Sequence, residues 1–117
     1  DQDVLYAGFV EDIKLYFDAA DVFINPVTDG GGIKTKLIEA LAANARAVSY
    51  ASGAIGVDAF LTGGNMKIVD DGNAAAFVNV LLEMLARQKA EIPAAFFDHF
   101  NWRFITRKAA EAIEKLL

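Results

Sequence analysis

Apolar residues in this chain come in short blocks, and each block is followed by a stretch with helical spacing. Val4–Phe9 (VLYAGF) is an apolar run that predicts a strand. Asp12–Ala20 then places Ile13, Tyr16, Phe17 and Ala20 at helical intervals. Val22–Asn25 (VFIN) predicts a second strand, covered on both faces and stopped by Pro26. A helix is expected from about Lys34 to Ala43, with Leu37, Ile38, Leu41 and Ala42 inward. Asn44 follows where a left-handed residue would end that helix, a conformation asparagine tolerates better than most. Ala47–Ala51 predicts the third strand and Met66–Asp70 the fourth, with a short helical or irregular piece after Gly53 and Gly56. Asn73 is placed to cap a helix reaching Arg87, with Phe77, Val80, Leu81, Met84 and Leu85 inward. A last helix is expected over Trp102–Leu117, striped by Ile105, Ala109, Ile113 and Leu116. Its outer face offers Arg107–Glu111 and Glu111–Lys115 as i,i+4 pairs, contributing roughly a few tenths of a kcal/mol each.

Strands that alternate with helices and are apolar throughout predict a parallel sheet covered on both sides. The expected fold is α/β, Rossmann-like, with three α/β/α layers and a mostly parallel sheet in a single domain over residues 1–117. In such sheets ligands collect outside the carboxyl ends of the strands. Composition narrows the ligand. At net charge −5 the chain is a poor partner for a phosphate backbone, so nucleic acid is not expected. No cysteine is present, which excludes disulfides and thiolate metal sites. The longest apolar stretch, around residues 74–86, contains Asn79 and Glu83, so no transmembrane segment is expected. The N-terminus lacks a basic region and a signal-like apolar run, leaving the cytoplasm as the default location.

Candidate chemistry sits just after the second strand. Residues 28–39 read TDGGGIKTKLIE, a glycine tract running into a helix with lysines at the joint. The first amides of a helix have no partner inside it, so such a joint can hold an anion. A P-loop is excluded because Ile33 stands where glycine must precede the lysine. Capture by the helix start remains, through the amides of Lys34, Thr35 and Lys36. Glu39 lies about 7–8 Å further along the axis, a phosphate-to-ribose reach. The same residue is also placed to pair with Lys36 at i,i+3, and spacing alone leaves both readings open.

The stretches GFVEDIKLYFDAADVFINP and GGGIKTKLIEALAANARAVSYASGAIG resemble the nucleotide-sugar-binding domain of retaining GT-B glycosyltransferases of the family-4 type (glycosyl transferases group 1). The resemblance covers essentially the whole chain. It implies a glycosyltransferase that moves a sugar from a nucleoside diphosphate sugar to an acceptor hydroxyl, with no cofactor and no metal. It matches Glu39 to the second glutamate of a Glu-x7-Glu motif, the ribose ligand, and Lys34, Thr35 and Lys36 to the helix start on the diphosphate. Gly31, Gly32 and Ile33 belong to the same donor loop. Gly8, Phe9 and Val10 match a turn near the base, and Pro26 and Val27 the strand end leading to the loop. The motif's first glutamate, which contacts the donor sugar, is replaced by Gly31, while Asn44 and Arg46 stand for glycine and proline. No catalytic residue is assigned.

Against the family's length, the chain corresponds to the distal part of the donor domain, without the N-terminal acceptor domain. It is therefore expected to be inactive alone, and a non-catalytic folding unit with weak or no nucleotide binding is the alternative. With two strands absent, Val4–Phe9 is expected to move beside VFIN, or a second copy of the chain to cover that edge. Other conspicuous residues read as structural. His99 is the single histidine, and Phe96, Phe97, Phe100 and Trp102 form a core plug. Asp70-Asp71-Gly72 is a turn ahead of a cap, and Glu11 and Asp12 suit a helix start.

Overall fold

The computed structural model describes residues 3–100 and 110–116. Its elements are α1 (Ile13–Ala19), β1 (Phe23–Asn25), α2 (Thr35–Ala42), β2 (Ala47–Tyr50), β3 (Met66–Val69), α3 (Ala74–Ala86) and α4 (Ala94–His99). Short 3-10 turns at Ser52–Ala54 and Ala59–Thr62 fill the β2–β3 connection, and residues 110–116 are helical. The sheet is parallel in the order β1-β2-β3, with Phe23 opposite Ala47 and Ala47 opposite Met66.

Central β2 shows why the sequence folds this way. All four of its residues are buried, and strand pleating sends them alternately to opposite faces. One face joins Ala47 to Leu37 and Leu41 of α2, Met66 of β3, Val57 and Phe96 of α4. The other joins Val48 and Tyr50 to Val69, Phe77 and Met84, so α3 covers it. Helices on both faces make the expected α/β/α layering. Outside α2, Phe17 of α1 packs with Ala40 and Ala45, and its ring meets Phe23 edge-on at 5.8 Å.

Local signals behave as their chemistry requires. Asp12 caps α1 by accepting from the Lys14 amide at 3.2 Å, and Asn73 caps α3 by accepting from the Ala76 amide at 3.0 Å. Asn44 takes φ of 65° just past α2. Its side-chain oxygen then accepts the Ile92 amide at 2.8 Å. Arg46 donates to the Asp21 carbonyl at 3.0 Å and to the Met84 carbonyl at 2.6 Å, and also to that of Arg87. A cation thus meets the C-terminal carbonyls of α3, where the helix dipole favours positive charge.

Several expectations fail, for related reasons. Val4–Phe9 is no strand, and it does not lie beside β1, whose sheet neighbour is β2. Val4, Leu5, Tyr6 and Phe9 are 70 to 93% exposed. An apolar run becomes a strand only where another strand accepts its hydrogen bonds. β1 and β3 form the sheet edges, so Ile24 and Ile68 are partly exposed and neither strand is buried on both faces. Leu85, expected inward, is 46% exposed, because α3 turns it past the rim of the sheet. On α2 Ala40 is buried while Ala42 is exposed, since α1 covers the flank that carries Ala40.

Around the C-terminus, Phe96 is buried and Phe100 packs beside it, but Phe97 is exposed. The helix α4 that carries Phe96 was not expected as a separate element. His99 is exposed in its last turn, its ring against Phe100. Ile113 and Leu116 are exposed rather than inward, and Glu111 and Lys115 form no ion pair among the described residues. Trp102, Ile105, Arg107 and Ala109 lie outside the described residues. Among the described residues no helix is long and apolar enough to cross a membrane.

Candidate functional site

At the carboxyl ends of the three strands the chain forms the 26–34 loop, the 51–57 segment and the 70–73 turn. In the first, Gly30 and Gly32 take φ of 85° and 78°, a left-handed region that strains any side chain with a β carbon. The backbone therefore passes twice through this region before Lys34, the residue that flanks α2 with an extended backbone. No side chain caps this helix. The amides of Leu37 and Ile38 return to the Lys34 carbonyl at 3.1 and 3.4 Å. Those of Thr35 and Lys36 have no acceptor among the described residues. The Lys34 ammonium folds back toward the Gly31 carbonyl at 3.4 Å. Beside Gly31 there is open space where a β carbon would stand.

One turn into α2, the Glu39 carboxylate accepts from the Lys36 ammonium at 3.2 Å. The i,i+3 pair allowed by the spacing is therefore made. Both residues stand on the flank of α2 that faces α1, at the rim of a groove of about 350 Å³. Ile13, Phe17 and Ala43 give this groove an apolar floor, and Lys14 adds a second cation at its edge. Val10 lies outside it, half-buried ahead of the Asp12 cap, with Gly8 at φ of 68° two residues earlier.

A family profile for glycosyl transferases group 1 matches residues 1–87 of the 117. The chain belongs to the glycosyl transferases group 1 family. No curated protein and no solved structure matches it.

Within this family member, the expected donor residues divide into two groups. Gly31, Gly32, Ile33, Lys34, Thr35 and Lys36 form one continuous surface at the start of α2, and Lys36 links that surface to Glu39. Val10 is not joined to either by the groove. Sequence reasoning overlooked a polar network beneath the loop. Buried Asn25 donates from its amide to the Ser49 hydroxyl and to the Gly53 carbonyl, both at 3.0 Å. Asp71 accepts the Ser52 amide at 2.9 Å and the Ser52 hydroxyl as well. These two bonds, the hydroxyl one foremost, hold the Asp71 carboxyl below its ordinary value. The available signal was a polar residue in each of two apolar strands, Asn25 at the end of VFIN and Ser49 in the middle of AVSYA.

Proposed function

We propose that this chain holds the nucleotide-sugar donor of a retaining glycosyl transfer to an acceptor hydroxyl. The observation that carries the reading is the pair of amides, Thr35 and Lys36, without an acceptor among the described residues, opening a helix at the carboxyl end of a parallel sheet. In a glycosyl transferases group 1 protein, a diphosphate is the anion such a position suits. The bond that breaks joins the anomeric carbon to the diphosphate oxygen, and negative charge grows on the departing nucleoside diphosphate. Amides fixed by the helix stabilise that charge without rearranging, and the ammonium groups of Lys34 and Lys36 add to it once the donor has drawn them from Gly31 and Glu39.

Glu39 accepts hydrogen bonds from the ribose, and the apolar groove beside it takes part of the nucleoside. A groove of about 350 Å³ is within the range usual for small-molecule sites. On donor binding Lys36 exchanges Glu39 for a phosphate oxygen, leaving the carboxylate to the ribose hydroxyls. The open space beside Gly31 gives the sugar room on the side where the family motif has its first glutamate.

The experiment is a titration of the chain with UDP, GDP and ADP, followed by amide shifts. Shifts concentrated at Gly31–Lys36 are expected for at least one nucleotide. Glu39→Ala then weakens its affinity about 10- to 100-fold, through the loss of roughly 1.5–3 kcal/mol of charge-assisted hydrogen bonding. Spectra silent at millimolar nucleotide would leave only the non-catalytic folding unit.

A further inference from the structure

The donor loop contains three consecutive glycines, and a chain of that composition has little rigidity of its own. What holds it lies across the strand ends. The side chain of Ile33, the last loop residue before Lys34, lies directly on the backbone of Gly56. A β carbon added to Gly56 would stand 2.6 Å from Ile33 Cγ1 and 3.0 Å from its Cδ1, so only glycine admits this approach. Gly56 also takes φ of 83°. Ile33 is 52% exposed, so its buried half is the part that meets Gly56 and its surroundings.

The surface under Ile33 is itself fastened. Gly53 is backed by Asn25, whose amide would lie 2.6 Å from a β carbon there, and by the Val27 carbonyl at 3.0 Å. Asn25 further binds the Gly53 carbonyl. Ser52 is tied to the next strand end through Asp71. Residues 52–56 thus form a braced seat between β1 and β3.

We propose that the 52–56 segment positions the donor loop, with Ile33 seated on Gly56 as the contact that orders Gly30–Lys34. Ile33 acts as a positioning residue through its side chain, which rests on the seat, while its backbone remains part of the donor loop. A loop held in its binding shape before the anion arrives loses less conformational freedom on binding. The proposal rests on the donor-binding reading for its consequence in affinity. The ordering itself is independent of that reading.

The test compares the parent chain with Ile33→Ala, Ile33→Val and Gly56→Ala. Backbone relaxation at Gly30–Lys34 is measured without ligand, and UDP affinity is measured separately. Ile33→Ala should loosen Gly31 and Gly32 on the nanosecond scale and weaken UDP binding about 5- to 10-fold. Its melting temperature should stay close to the parent's, because Ile33 is half exposed. Ile33→Val keeps Cγ1 and should preserve loop order. Gly56→Ala should loosen the loop in the parent but add little to Ile33→Ala, a coupling read by a double-mutant cycle. Unchanged relaxation in Ile33→Ala overturns the proposal whatever UDP does. A loosened loop in a chain that binds no UDP upholds the seat and overturns the donor reading alone.

Discussion

Replacing Asn65 with alanine tests how the chain returns from α3 to α4. Asn65 is 1% exposed, and its side chain grips both polar groups at Ala90. Its oxygen accepts the Ala90 amide at 2.9 Å, and its nitrogen donates to the Ala90 carbonyl at 2.7 Å. Alanine removes both bonds and leaves a small void. Each bond contributes about 1 kcal/mol net, with a further cost where the Ala90 groups stay shielded from water. Ala90 is half-buried, so water reaches part of what is lost. The expected destabilisation is about 2–3 kcal/mol, or a fall in Tm of roughly 10–15 °C. Urea melts followed by circular dichroism would measure it, with the slope unchanged if the denatured state is the same. Asn65→Asp adds a sign. It sets a carboxylate against the Ala90 carbonyl in a buried place, which raises its pKa when folded. That variant should then gain stability as pH falls toward the carboxylate range, because its folded state binds the extra proton. A loss below about 0.5 kcal/mol for Asn65→Ala would refute the reasoning, since two well-made, part-buried bonds cannot be that weak unless the 88–92 segment is not held there.

Asp71 has its carboxyl pKa lowered by the Ser52 hydroxyl and amide, so its contribution to stability is present above the ordinary value of 3.8 and is lost as pH falls through the folded value. The Tm difference between the parent and Asp71→Asn should be full near neutrality and shrink on acidification below that value. Arg46→Ala frees the carbonyls of Asp21, Met84 and Arg87, and should cost about 1–2 kcal/mol in denaturant melts, with water partly replacing the guanidinium. Gly53→Ala forces a methyl against the Asn25 amide and the Val27 carbonyl, and overpacking of that kind costs about 1–3 kcal/mol. Hydrogen exchange at the β1–β2 register should quicken in that variant before the α3 side responds.

Much of the candidate site was legible because its parts are local. A glycine tract ahead of an amphipathic run predicts an open helix start from about Lys34, and α2 begins at Thr35, where the amides of Thr35 and Lys36 have no acceptor among the described residues. The Lys36–Glu39 pair is likewise a property of one helix turn. The groove beside Glu39 was not legible, because Ile13, Lys14 and Phe17 of its lining come from α1. Nor was the seat for Ile33, which depends on Asn25, Gly53 and Asp71 arriving at one place from three strand ends.

By itself the sequence determined the alternation of strands and helices, the cap at Asn73, the acidic helix start at Asp12, the left-handed turn at Asn44 and the family. Each of these is a matter of near neighbours: a helix closes its own hydrogen bonds, and a cap reaches two or three residues. Tertiary structure alone decided that Val4–Phe9 is not a strand, that Leu85 faces out and that Asn65 is buried. A strand draws its hydrogen bonds from another strand, and a side chain is buried only by what packs over it. Neither partner is written in the residues beside it.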